Sequence, residues 1–282
     1  MSLPPADAVS PPRIIAIANQ KGGVGKTTTA VNLATALAAA GKAVLVVDLD
    51  PQGNASTGLG IAREDRTLGT YCTLLLHAPI GDAAQPTAIP NLSVLAAEAD
   101  LAGAEIELVA LDRRQTRLRD ALAGLRDADI HYDYVFIDCP PSLGLLTVNA
   151  LVAANAVLVP LQCEFYALEG ISGMMRTIEV VRRGYNPGLA LLGIVLTMFD
   201  KRNNLAEQVA ADARAFFGAA VYDTVIPRNI RVTEAPSHGK PVLLYDIRSP
   251  GAQAYIQLAA ELLRRERADT AAALPLQTGP TA

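Results

Sequence analysis

No tryptophan occurs in the 282 residues, and aromatic side chains make up only 5% of them. A platform that stacks successive bases of single-stranded nucleic acid is therefore not expected. Cysteine is equally scarce: Cys72, Cys139 and Cys163 are far apart and form no C-x-x-C pair. That pattern argues against a disulfide framework and suits a reducing cytoplasm. No stretch reaches the ~20 uninterrupted apolar residues of a membrane span. The segment Met1 to Arg13 carries Pro4, Pro5, Pro11 and Pro12 and no apolar run, so it does not read as a signal peptide. A basic excess is missing too. The net charge of −4 excludes a globally basic nucleic-acid coat. The charge is unevenly spread, however: Ile171 to Pro250 holds ten Lys or Arg against seven Asp or Glu, which leaves room for a local basic face.

Apolar side chains are plentiful, at 51% of the chain. They suffice for a full core without disulfides or metals. Short β-branched runs alternate with longer helical patterns. Strands are expected at Ile14–Asn19, Ala43–Leu49, Asn91–Ala96, Tyr134–Asp138, Ala156–Leu161, Leu191–Thr197 and Thr224–Ile226. Helices are expected near Lys26–Ala40, Arg113–Leu125, Leu145–Ala153, Leu168–Arg183, Leu205–Phe217 and Pro250–Arg267, with Gly41 and Gly184 at C-terminal caps. Strands that are apolar throughout and separated by helices indicate an α/β fold, a doubly wound and mainly parallel sheet with helices on both faces. The expected organisation is a flexible arm over residues 1–12, a single domain over 13–267 and a loose tail over 268–282.

The first expected strand runs into Gln20-Lys21-Gly22-Gly23-Val24-Gly25-Lys26-Thr27-Thr28, and a helix follows. This is the context of a phosphate-binding loop. Gly22, Gly23 and Gly25 let the backbone N–H groups, that of Val24 among them, approach phosphate, and the helix N-terminus adds its positive end. Lys26 is expected on the β- and γ-phosphates, Thr27 on Mg²⁺ and Thr28 on a further phosphate oxygen. The usual first glycine is replaced by Gln20, and a second lysine, Lys21, stands beside it. Two further strands end in carboxylates, Val46-Val47-Asp48-Leu49-Asp50 and Val135-Phe136-Ile137-Asp138. In such sheets ligands bind at the carboxyl edge. Alone, each acid could cap a helix; with the glycine-rich loop they read as one site, Asp138 serving the metal.

Lys21 to Thr28 resembles the deviant Walker A motif of the ParA/MinD superfamily of P-loop NTPases. Asp48-Leu49-Asp50-Pro51-Gln52-Gly53-Asn54, Asp138-Cys139-Pro140-Pro141-Ser142-Leu143-Gly144, Ile226-Pro227-Arg228-Asn229 and Glu234 to Pro241 resemble chromosomal, Soj-type ParA partition ATPases. The likeness spans about Arg13 to Leu263. It implies an ATPase that uses ATP and Mg²⁺, slow unless stimulated, and a homodimer when ATP is bound. Lys21 would reach across to the other subunit's phosphates, and Gly22 would lie at the subunit contact. Asp50 would orient the attacking water, Asp138 would hold Mg²⁺ through water, and Pro227 and Asn229 would lie near adenine. The dimer would bind double-stranded DNA without sequence preference, and a ParB-like protein would stimulate hydrolysis and release. Arg202 and Arg231 match the family's DNA-binding positions best.

Two related readings compete. A membrane-associated MinD-like ATPase would want a C-terminal amphipathic anchor. Here Ile256 to Leu263 is better explained by docking on the core, and no stable membrane binding is expected. An electron-transferring iron protein would want paired cluster cysteines, and none is evident. A non-enzymatic DNA-binding scaffold could dispense with Asp50 and Asp138, and both are present.

Overall fold

The computed structural model describes residues 11–127, 130–164 and 167–273. Seven strands form one sheet: β1 (Arg13–Ile17), β2 (Val44–Asp48), β3 (Ala84–Pro86), β4 (Leu92–Leu95), β5 (Tyr134–Asp138), β6 (Ala156–Gln162) and β7 (Ala190–Thr197). Their order is β3-β4-β2-β5-β1-β6-β7. All pairings are parallel except that of β3 with β4. The helices of the first half are α1 (Lys26–Ala39), α2 (Asn54–Gly58), α3 (Thr70–Leu76), α4 (Ile80–Ala83), α5 (Ala104–Val109) and α6 (Arg117–Asp127). Those of the second half are α7 (Leu145–Ala153), α8 (Ala167–Gly184), α9 (Asn204–Phe217), α10 (Ile230–Glu234), α11 (Val242–Tyr245) and α12 (Pro250–Ala273).

Residues of β2 and β5 are buried throughout because both faces of the sheet are covered. One core holds Leu45, Val47, Val135 and Ile137 with Leu146 of α7, Met174 of α8 and Ala210 of α9. The other holds Val44, Val46 and Phe136 with Leu33 and Leu37 of α1 and Tyr255, Leu258 and Leu262 of α12. Strands of period two thus send alternate side chains into separate cores. The apolar side of α12 is spent on the second core.

Several boundaries differ from expectation. Thr224–Ile226 is not a strand. Its amides are partly diverted: Asp223 N and Thr224 N each donate to the Glu261 carboxylate at 2.9 Å. Isolated bonds continue the ladder on either side, Tyr222 N to Ile194 O (2.9 Å), Ile226 N to Leu196 O (2.8 Å) and Phe199 N to Ile226 O (3.0 Å), without forming a strand. The short antiparallel β3 was not expected, since Pro86 suits only an edge position. Helix α6 begins at Arg117 rather than Arg113, whose φ of 54° is outside the helical region. Gly41 adopts the expected left-handed cap with φ 82°, whereas Gly184 remains the last residue of α8. Helix α12 runs to Ala273, so Ala268 to Ala273 are its final turns. The arm before Pro11 and the tail beyond Ala273 lie outside the described residues.

Candidate nucleotide site

Register sets the site. Asp138 pairs with Ile17 on one side and with Asp48 on the other, which puts both acids at the carboxyl edge beside the chain leaving β1. That chain turns at once. Asn19 fixes the turn through Nδ2, which donates to Pro160 O (2.8 Å), and Oδ1, which accepts from Lys21 N (3.0 Å). Gly23 and Gly25 have φ of 75° and 86°, where a side chain would strain the backbone. The buried Thr197 hydroxyl donates to Val24 O at 2.8 Å and ties the loop to the end of β7. Helix α1 then starts at Lys26, with Thr27 and Thr28 half-buried in its first turn.

Lys26 is only 6% exposed, and its ammonium donates to Lys21 O at 3.1 Å. Burial lowers its pKa, opposed by the charges of Asp138 and Asp50. Asp48 and Asp138 are fully buried, and Asp50 is 8% exposed. Asp48 Oδ2 accepts from Ser56 N (2.7 Å) and Ser56 Oγ (2.6 Å). Asp50 Oδ1 accepts from Gln52 N at 3.0 Å. Both Asp138 oxygens and Asp48 Oδ1 are buried with no partner that meets hydrogen-bond geometry. The Thr27 hydroxyl is nonetheless close enough to Asp138 to favour its charged form. Desolvation pushes the Asp138 carboxyl well above the ordinary range, reinforced by Asp48.

Three buried carboxylates facing one buried ammonium form a cage that lacks positive charge. The unpartnered oxygens of Asp138, beside the Thr27 hydroxyl and below a glycine-rich loop, suit hard-cation chemistry and a bound phosphate chain. The residues therefore fit Mg²⁺ with a nucleoside triphosphate.

The buried acids of the cage also make stability depend on pH. Burial raises the Asp48 carboxyl from 3.8 to about 6. A carboxyl with a raised native pKa favours folding while protonated and loses that contribution as pH climbs from the unfolded to the native value. Urea midpoints taken without Mg²⁺ and nucleotide should therefore fall between pH 4 and pH 6. Asp48→Asn should flatten that fall, and Asp138 acts in the same direction.

The second lysine stands apart from the cage. Lys21 Nζ pairs with Glu164 Oε2 at 3.0 Å, both side chains being partly exposed. Gly22 is exposed, and a Cβ built there would meet Pro141 Cβ at 3.9 Å, an ordinary contact. Pro227 lines an open cleft of about 770 Å³ with Phe199, Val225, Arg228 and Gln253. Arg228 N donates to Phe199 O at 3.0 Å, which holds this segment beside the end of β7. Asn229 caps α10, its Oδ1 accepting from Arg231 N at 3.1 Å. Arg202, with 90% of its side chain exposed, forms a fork onto Asp200 with contacts of 3.0 and 2.9 Å. That fork holds the Asp200 carboxyl down at about 2. Arg231 pairs with Glu234 (2.9 Å) and Asp246 (3.6 Å).

Sequence reasoning passed over Asn19, Ser56, Thr197 and Glu164. Each is a common polar residue whose partner lies far along the chain or has no spacing signature. The exception is Arg66, 8% exposed, which donates to Thr57 Oγ1 (2.7 Å) and Ile61 O (2.8 Å) and braces Gly53 after Asp50.

A parallel sheet whose first strand feeds a glycine-rich loop, a Lys-Thr helix start and buried strand-end carboxylates defines a P-loop nucleoside triphosphatase. A family model described as an AAA domain matches residues 12–191. The chain belongs to that family and, within it, to the ParA/Soj chromosome-partitioning ATPases of the ParA/MinD superfamily. It is 62% identical over 260 residues to the chromosome partitioning protein ParA of Caulobacter vibrioides, covering 92% of this chain and 97% of that protein. It is 53% identical to the sporulation initiation inhibitor protein Soj of Bacillus subtilis, covering 89% and 98%. Among solved structures, cobyrinic acid a,c-diamide synthase from Mycobacterium smegmatis with bound ATP analogue and magnesium aligns with TM-score 0.80 and 39% identity. That alignment covers 92% of this chain and 96% of the other. The chain is an ATPase and uses ATP with Mg²⁺.

Proposed function

We propose that this ATPase is a nucleotide-switched partition protein, acting in the cytoplasm on the nucleoid. Two ATP-bound copies pair face to face, bind duplex DNA without sequence preference, and let go when a ParB-like partner stimulates hydrolysis. Residues 13–267 act as one unit in this reading. The observation that carries it is the place of Lys21. Its ammonium rests on Glu164 at 3.0 Å, outside the cage that Lys26 fills. A lysine at the mouth of the loop, held by a partly exposed carboxylate, is placed to serve a facing copy.

The roles follow from position. Lys26 and the N–H groups from Gly22 to Thr28 hold the phosphate chain. Thr27 and Asp138 hold Mg²⁺, which when bound neutralises charge on the phosphate oxygens. Asp50 orients the attacking water, and Pro227 and Asn229 flank the base. Phosphoryl transfer depends on positioning and charge more than on covalent chemistry, so a site lacking the partner's Lys21 binds ATP and turns over slowly.

Gly22→Val separates binding from pairing. Its own chain has room for the new side chain, because the nearest atom is 3.9 Å from the added Cβ and φ is not positive. Nucleotide affinity should stay within about threefold, while ATP-dependent dimers and DNA binding disappear; equilibrium dialysis and light scattering read the two effects.

Binding to random-sequence duplex DNA with ATP, with ADP and without nucleotide tests the whole reading. Tight, salt-sensitive binding is expected with ATP alone. Arg202→Ala should reduce the salt slope by about two for a dimer, roughly 0.9 for each phosphate no longer neutralised, and Arg231→Ala likewise. Equal binding in all three nucleotide states would overturn the switch. The buried apolar side of α12, with Leu258 and Leu262 at 0% exposure, supports DNA over a membrane surface as the target.

A further inference from the structure

We infer that α5 extends the face that a second copy of this chain covers, with Ile106, Val109 and Leu143 as its apolar contacts. The inference rests on the dimer proposed above and names a surface for it.

Three observations converge. Ile106 and Val109 lie one turn apart on α5 and are 79% and 58% exposed, and Leu143 is 45% exposed. Such side chains gain by leaving water. Their place is the second point. Helix α5 follows the carboxyl end of β4, and Leu143 follows the carboxyl end of β5, so both stand on the edge that carries Lys21 and Gly22. The third is the contact between them. The Glu105 carboxylate rests against Gly144, where a Cβ would collide with both oxygens, and its Oε1 is buried without a hydrogen bond. Helix α5 is thereby seated on the loop that begins at Asp138, and a change in that loop is felt by α5.

The occupant follows from this edge. A copy close enough to receive Lys21 must lie across Gly22 and the exposed Pro141-Ser142-Leu143 loop. Those residues alone offer little area, and stable interfaces bury about 800 Å² per partner. Extending the contact to α5 adds apolar surface where it is already exposed. Among the other large exposed apolar side chains, Val180 and Phe216 lie near the far ends of α8 and α9, at the opposite edge of the sheet. They serve as controls.

The test is sedimentation of the full chain with Mg²⁺ and a non-hydrolysable ATP analogue over a range of protein concentrations. Ile106→Asp should weaken the dimer about tenfold or more, the size of an interface hot spot, and Val109→Asp should act in the same direction. Val180→Asp should leave it unchanged. Analogue affinity measured on dilute monomer should be the same in all variants, which excludes misfolding. A parent that dimerises while Ile106→Asp and Val109→Asp dimerise equally well overturns the inference alone. A parent that stays monomeric overturns the dimer and the inference together. Variants that dimerise normally but lose stimulation by a ParB-like protein also overturn it, since the surface then belongs to that partner.

Discussion

Lys21→Ala will bind ATP as the parent does and lose partner-stimulated hydrolysis by a factor of about 10³ or more, the scale of a cation supplied in trans at phosphoryl transfer. The expectation combines two facts of position. Lys26 fills the cage and is 6% exposed, so the loop keeps its own ammonium when Lys21 is removed. Lys21 touches no group of the cage through its ammonium; its partner is Glu164 at 3.0 Å. Its backbone, by contrast, belongs to the loop, with N bonded to Asn19 and O to Lys26, and alanine preserves both bonds. Binding and turnover should therefore separate cleanly. Mixing decides whether the lysine acts across the interface. Lys21→Ala combined with a variant unable to bind nucleotide should recover activity, because the loaded site of the Lys21→Ala copy faces a copy that keeps the lysine; no recovery would place the lysine's action within its own subunit. A Lys21→Ala protein that is stimulated normally would remove Lys21 from the chemistry.

Asp50→Ala will trap the ATP dimer on DNA, with hydrolysis down about a hundredfold or more, the usual size of a lost water-orienting or proton-accepting group. Asp50 is 8% exposed and spends Oδ1 on Gln52 N, leaving Oδ2 without a hydrogen bond among the described residues. Alanine frees one amide at the surface and leaves Asp48, Asp138 and the loop in place. Stopped hydrolysis with intact ATP binding lengthens the life of the closed dimer on DNA. Filter binding after an ATP chase should show slow release, where the parent releases within its turnover time. Turnover at the parent rate would assign the water to another group.

Legibility in the sequence followed the range of the interactions. The glycine loop, its strand and its helix are contiguous, so Gly23, Gly25 and Lys26 were placed from spacing alone. Apolar runs ending in acid placed Asp48, Asp50 and Asp138 at the carboxyl edge, because a buried strand can end in charge only where a ligand, solvent or a protein donor such as Ser56 meets it. The supports were hidden. Thr197 reaches Val24 across 173 residues, and Asn19 reaches Pro160 across 141. No local pattern announces either. The misplaced strand at Thr224–Ile226 has the same origin, since β propensity was correct and Glu261, far along the chain, took the amides. Arg202 and Arg231, proposed to face DNA, were picked by motif, but their acids, Asp200, Glu234 and Asp246, became partners only in three dimensions.

Helix α12 also governs when this protein becomes itself. Tyr255 meets Thr29 of α1 hydroxyl to hydroxyl at 3.4 Å. Glu261 secures residues 223 and 224, and Glu266 joins Tyr134 Oη (2.5 Å) and Arg13 (3.2 Å). The final helix thus sews the first strand, the first helix and the middle of the sheet together. Synthesis runs the other way, and contacts of such long sequence separation form late. The phosphate loop leaves the ribosome among the first residues, yet α1 lacks its cover until the last ones follow. A chain cut before Tyr255 would leave Leu33 and Leu37 of α1 without the cover of Leu258 and Leu262. Completion of the second core thus waits on α12, although the loop it supports is made long before.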